Sequence, residues 1–217
     1  MDKAKKLKLL TKNTLANIFT TPTSYRNFLI YASKFYKYEP AQIVMAYGQD
    51  NDATMLATYQ QWNDLGRRIT YGSHALAIGN EGYSSLVYDV RQTSGDKLPY
   101  VWKLSDYDKA DEINDIIRSD VDSDLKEKII RYGEQLKMIS ADSRLQGLSD
   151  GEVSEILTGI VYDSILYTVS ARCNVDISDI LRNNSYLFNF NTALIFYRMS
   201  YGKCAVALNF RDSAFFI

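Results

Sequence analysis

RRITYGSHALAIGNEGYSSLVYDVRQT, residues 67–93, decides the fold class. Within it Arg68–Tyr71, Ala75–Ile78 and Ser85–Val90 are short runs rich in β-branched and aromatic residues, punctuated by Gly, Asn and Ser. Such runs fit a pleated, half-buried surface, and the punctuation suits turns. Together with Tyr100–Leu104 they predict a small antiparallel sheet. The residues before them repeat differently. Residues 3–19 place Leu7, Leu10, Leu15 and Ile18 on one side of a helix, with Lys3, Lys5, Lys6 and Lys8 at its start. Pro22 breaks that helix, and Thr23 or Ser24 is suited to cap the next. There Phe28, Tyr31, Ala32, Phe35 and Tyr36 follow the i, i+3, i+4, i+7, i+8 stripe of a half-buried helix. Pro40 suits the first turn of a third helix ending near Gly48. Thr58 with Gln61 forms a capping box for a short helix that closes at Gly66. Helices followed by a sheet make an α+β front half.

Beyond Ser105 the helical pattern returns. Residues 106–138 are charged and amphipathic. Ser149 with Glu152 is a second capping box, opening a helix through about Arg172. Val153, Ile156, Leu157, Ile160, Val161, Ser164 and Thr168 share one face of it. An aromatic-rich segment, 185–217, ends in Phe215, Phe216 and Ile217. The chain is therefore expected to divide into a domain at 1–104 and a mainly helical domain at 105–217, joined around 103–110.

The 217 residues are enough to bury a core, and the 46% apolar content is ordinary for a globular protein. No run approaches 18 apolar residues, so no membrane partner is expected. The N-terminal MDKAKKLKLLTKN is basic and lacks the apolar stretch of a signal peptide. Cys173 and Cys204 cannot build a disulfide framework. They suit a reduced, cytoplasmic setting as buried thiols. The net charge of −1 conceals an asymmetry: residues 1–103 hold 13 Lys+Arg against 8 Asp+Glu, and residues 104–217 hold 12 against 18. A basic half attracts phosphate.

Much chemistry is absent. A single histidine, His74, excludes H-E-x-x-H and histidine-rich metal sites, and two distant cysteines cannot supply a zinc knuckle. Neither phosphate-binding glycine motif occurs. Asp120, Asp122 and Asp124 begin like a calcium loop, but Leu125 stands where its glycine belongs and Arg131 where its glutamate belongs. The acidic cluster from Asp106 to Asp124 reads as a solvated helix face. No cofactor, metal site or catalytic residue is expected. The residues suited to nucleic acid are Arg67 and Arg68 with Tyr71, where cation and aromatic ring stand close in sequence, together with His74 and the basic Lys5 and Lys8. Gly66 ending a helix would leave both arginines near the surface. Strand alternation would put Ile69 and Tyr71 on the core side.

One stretch, FLIYASKFYKYEPAQIVMAYGQDNDATMLATYQQWNDLGRRITYGSHALAI followed by LVYDVRQT, resembles the N-terminal domain of ArdC-type antirestriction proteins, which also opens large plasmid and conjugative-element proteins. The order is the same: an aromatic helix, a helix after Pro40, a tryptophan helix closing in Leu65-Gly66-Arg67, a glycine turn at Gly72, then Tyr88-Asp89-Val90 with Gln92-Thr93. The likeness covers about residues 10–104. The back half, through IVYDSILYTVSARCNVDISD and YLFNFNTALIFYRMSYGKCAVALNF, resembles the segment following that domain in the large proteins. The peptidase helix of ArdC is missing, so its metal and catalytic residues have no counterpart here. The resemblance implies binding of single-stranded DNA or RNA in defence evasion by a mobile element inside a bacterial host. Three other readings fit the same residues. One is an anti-CRISPR that binds a Cas effector or promotes cleavage of its guide RNA. Another is an accessory module of conjugative DNA transfer, and the third a metal-dependent nuclease using the acidic cluster. Oligomeric state is not written in the pattern.

Overall fold

A computed structural model describes residues 3–35, 37–80, 83–96, 127, 130, 131, 134, 146–173 and 175. The chain packs as two compact units. The first comprises Met1–Leu15 and Tyr31–Lys103, the second Ala16–Ile30 and Leu104–Ile217. Residues 16–30 pack with the second unit rather than the first.

The fold is α+β, as the pattern of residues 67–93 implied. The described helices are α1 (Lys3–Ile18), α2 (Pro22–Ala32), α3 (Pro40–Gln49), α4 (Tyr59–Asp64) and α5 (Asp150–Cys173). The strands are β1 (Leu56–Thr58), β2 (Arg68–Ile69), β3 (Leu76–Asn80), β4 (Tyr83–Asp89) and β5 (Thr93–Ser94). They make a three-stranded antiparallel sheet in the order β1-β4-β3 and a two-stranded ribbon, β2-β5.

Local chemistry explains most boundaries. Pro22 opens α2 instead of ending α1, because its missing N–H costs nothing in a first helical turn. The cap is therefore Thr21, whose Oγ1 accepts the Ser24 N–H at 3.0 Å, and not Thr23 or Ser24. The Thr58–Gln61 box forms as expected, with Thr58 N donating to Gln61 Oε1 at 2.8 Å and Gln61 N to Thr58 Oγ1 at 3.3 Å. Gly66, at φ +73, ends α4 in the left-handed region that a side chain resists. The Ser149–Glu152 box opens α5 in the same way.

Alternation along β4 turns Val87 and Asp89 to one face, which register joins to Leu56 and Thr58 on one side and to Leu76 and Ile78 on the other. Val87, Leu56, Leu76 and Ile78 are buried there, as are Ile43, Val44 and Ala46 of α3, which packs along β3. Trp62 of α4 is fully buried, and its indole N–H donates to Tyr88 O at 2.9 Å. Tyr31 packs between Phe35 and Tyr47, tilted to the first ring and edge-on to the second, with ring centroids 4.7 and 4.9 Å away. In the second unit the predicted face of α5 is buried at Val153, Leu157, Ile160 and Ser164. Ser164 Oγ shares a 2.9 Å hydrogen bond with Tyr25 OH. Cys173 is buried in a cluster with Ile165 and Leu166. Cys204, Tyr36, Tyr100–Leu104, the acidic stretch 106–124 and the segment 185–217 lie outside the described residues. Among those described, no helix is long and apolar enough to cross a membrane.

The edge of β3 is closed by a side chain. Gln49, the last residue of α3, donates through Nε2 to Ala77 O at 2.9 Å and accepts the Ala77 N–H on Oε1 at 2.9 Å. A carboxamide thus pairs both backbone groups of one edge residue, as a neighbouring strand would, and blocks strand addition there. Gln49→Ala would leave both groups in want of partners. It should lower unfolding stability by about 1–3 kcal/mol in urea titrations. An unchanged midpoint would mean that water replaces the amide without cost.

Candidate nucleic-acid interface

The segment Asp89–Thr93 organises the surface that carries the candidate residues. Asp89 points into the core face and is 0% exposed. Its Oδ2 accepts Thr54 N at 2.6 Å and Met55 N at 3.0 Å, and its Oδ1 accepts Arg91 N at 3.0 Å and Arg91 Nε at 2.5 Å. Arg91 also reaches Asp50. A buried carboxylate is tolerated only when its lone pairs are filled in this way. Burial by itself would raise the carboxyl pKa. The hydrogen bonds from the Arg91 side chain and from the Met55, Thr54 and Arg91 N–H groups outweigh it and hold the group below its usual value.

Asp89 also caps a 3-10 turn, Val90–Gln92, in a box closed by Asp89 N donating to Gln92 Oε1 at 2.9 Å. Gln92 then reaches outward. Its carbonyl accepts Thr70 N at 2.8 Å and Ser73 Oγ at 3.4 Å, and its Nε2 donates to His74 O at 2.8 Å. Between these ties runs a β-turn, Thr70–Ser73, closed by Ser73 N donating to Thr70 O at 3.1 Å. Gly72 takes φ +83 at its third position, the conformation a type II turn requires.

The candidates fare differently. Strand β2 ends at Ile69: Thr70 still bonds Gln92 O in the β2–β5 register, but Gln92 belongs to the 3-10 turn and the chain closes a turn at Thr70–Ser73, so Tyr71 is not on a core-side strand face. It stands at the turn tip with its side chain 104% exposed. Arg68 is exposed on β2, and His74 is exposed just after the turn. The expectation that Arg67 lies near the surface is corrected: it is 6% exposed. Its guanidinium donates to Thr93 Oγ1 at 2.7 Å, to Thr93 O at 3.2 Å and to Gly95 O at 3.2 Å. These bonds hold β5 against β2. Lys5 and Lys8 are exposed on α1. Among the described residues, none of the bonds that hold the Thr70–His74 turn involves α1. Arg68, Tyr71 and His74 are thus all exposed on or beside this turn.

Gln92 was missed as a site residue, as were Asp89 and Arg91. The signal was available: Asp89 followed by Gln92 has the same spacing as Thr58 and Gln61, an acceptor and a Gln three residues on. No family model matches the chain, and no curated protein or solved structure does so either. The family likeness rests on the quoted motifs alone.

Two outcomes follow. A carboxyl with a depressed folded pKa contributes stability that is full above its unfolded pKa of about 3.9 and is lost as pH falls through the folded value. Stability measured by denaturant should therefore decline below about pH 4. Asp89→Asn should flatten that decline and cost about 2 kcal/mol at neutral pH; an acid limb identical to the parent's would refute the assignment. The neighbouring arginines should separate as well. Arg67→Ala should lower stability by about 2 kcal/mol, since a buried guanidinium that joins three acceptors of the β5 segment is lost. Arg68→Ala should stay within about 0.5 kcal/mol of the parent.

Proposed function

We propose that this chain is a single-strand nucleic-acid-binding protein that serves a mobile element against a host defence system. The surface we assign to the strand is the turn that carries Tyr71, flanked by Arg68 and His74. The single observation that carries the reading is the complete exposure of Tyr71 on a turn whose backbone is tied at both ends. An aromatic ring held out in water on a fixed base offers one face for an unpaired base to stack upon, whatever that base is. Arg68 adds a cation whose planar fork suits phosphate and whose flat face suits a base. A duplex keeps its bases stacked on one another and offers the ring no such partner.

Supporting the same reading is the charge of the first 103 residues, 13 basic against 8 acidic. The likeness of residues 10–104 to antirestriction domains supplies the biological setting, defence evasion by plasmid or phage. Neither reaction chemistry nor a metal is needed for this role, since a protein that coats or shields a strand acts by occupying it.

The test is fluorescence anisotropy with labelled single-stranded DNA, single-stranded RNA and duplex DNA over a salt series from about 50 mM upward. Single strands should bind more tightly than duplex, and affinity should fall steeply with salt as counterions are released. Tyr71→Ala should weaken binding by about tenfold or more, since a stacked base is worth about 1–3 kcal/mol. Arg68→Ala should lower the salt slope by about one unit. No binding at the lowest salt, or binding indifferent to Tyr71, sinks the reading.

A further inference from the structure

We propose that Gln92 is the positioning residue of the Tyr71 turn, with the two ends of its side-chain amide doing separate tasks. The inference rests on the nucleic-acid reading for its consequence and on geometry alone for its premise. At 104% exposure, the Tyr71 ring is held by nothing but its own backbone. Whatever fixes that backbone fixes the ring's base. The turn's internal bond, Ser73 N to Thr70 O, closes the loop but does not orient it relative to the sheet.

Beyond the β2–β5 pairing that leads into it, the described ties to the turn come from one residue. Gln92 O takes the Thr70 N–H at the start of the turn, and Gln92 Nε2 holds His74 O just past its end. Ser73 Oγ adds a third tie to the same carbonyl. Gln92 is itself fixed, because its Oε1 is occupied by Asp89 N. The amide oxygen therefore closes the 3-10 cap, while the amide nitrogen tethers the turn. A loop ordered in advance spares the ordering cost that a mobile one meets on binding, so the tether raises affinity without touching the ligand.

Glutamate at this position separates the two tasks. Gln92→Glu keeps an acceptor for Asp89 N and removes the donor to His74 O. Its added charge also repels phosphate, but that effect is independent of Tyr71, whereas loss of positioning matters only while the ring is present. The experiment is a double-mutant cycle on single-stranded DNA, using the full chain, with Gln92→Glu made in the parent and in Tyr71→Ala. The expected result is a loss of about tenfold in the parent and about twofold in the Tyr71→Ala background. Equal losses in both overturn the proposal.

A ligand-free arm keeps premise and consequence distinguishable. Amide exchange at Thr70 and Ser73 should speed up in Gln92→Glu while Val90, whose N–H donates to Met55 O, stays protected. Unchanged exchange at Thr70 and Ser73 overturns the tether, whatever the binding data say. Absence of parent binding would overturn the nucleic-acid reading while leaving that exchange result to decide the tether. Should Gln92→Glu fail to fold, Gly72→Ala reaches the turn by another route. It strains φ +83, a Cβ there meets nothing within 4 Å, and the Asp89 cap is untouched. It should weaken single-strand binding several-fold with the fold intact; parent-like affinity would show that turn geometry is irrelevant and overturn the proposal.

Discussion

Four hydrogen bonds converge on the buried carboxylate of Asp89, and the first unit is arranged around them. Two come from the Thr54 and Met55 N–H groups and fix the entry into β1. Two come from Arg91, one from its backbone and one from its side chain, and they curl the chain into the 3-10 turn after β4. The 3-10 turn sets the direction of Gln92, and Gln92 sets the Thr70–His74 turn. A charge in the interior is costly when any of its lone pairs is left empty. That cost ties the loop, the strand and the 3-10 turn to one another through a single side chain.

The helical half of this organisation was plain in the sequence. Apolar spacing marked α2 and α5, and two capping boxes and Gly66 marked their termini or those of α4. These signals are local, each needing only residues a turn or two apart. The sheet was legible as a set of β-prone runs, but its ends were not. Arg68–Tyr71 reads as a strand by propensity, yet only Arg68 and Ile69 form one, because the partner segment curls into the 3-10 turn Val90–Gln92 and Thr70–Ser73 closes a turn of its own. Strands β1 and β5 were missed for a related reason. Leu56–Thr58 and Thr93–Ser94 are too short to show a period, and partners far away in sequence create them.

The site was half legible, and the neighbours Arg67 and Arg68 show why. The sequence offers them as an equivalent pair. One is 6% exposed with three acceptors gathered around its guanidinium, and the other faces solvent. The acceptors on Thr93 and Gly95 lie 26 and 28 residues away, so nothing near Arg67 announces its burial. The same limit affects the charge asymmetry. Counting charges credits Arg67 and Arg91 to a basic surface, whereas Arg67 is spent on β5 and Arg91 on Asp89 and Asp50. Among the described residues of this segment, the exposed cation beside the turn is Arg68. A charge total thus measures attraction at a distance, while recognition depends on which cations folding leaves uncommitted.

Exposure of an aromatic side chain is weak evidence when taken alone. Single apolar residues are scattered over most protein surfaces without consequence, and Leu86, Leu65 and Tyr59 are also exposed here. Tyr71 differs in what lies beneath it. Tyr59 stands on a short helix whose position α4 packing dictates, and Leu86 lies on a strand whose alternation must put some residue outward. Neither position needs any device beyond its own element. The Tyr71 turn, by contrast, is fastened by a residue whose side-chain oxygen is held by the backbone N–H of a fully buried aspartate, so a loop tip is tied to the core. Rigid support under an exposed recognition group is what binding sites require, since precision in the contacting atoms is inherited from the shell that holds them. That combination, a free ring on a fixed base, sets Tyr71 apart from the other exposed apolar side chains of the unit.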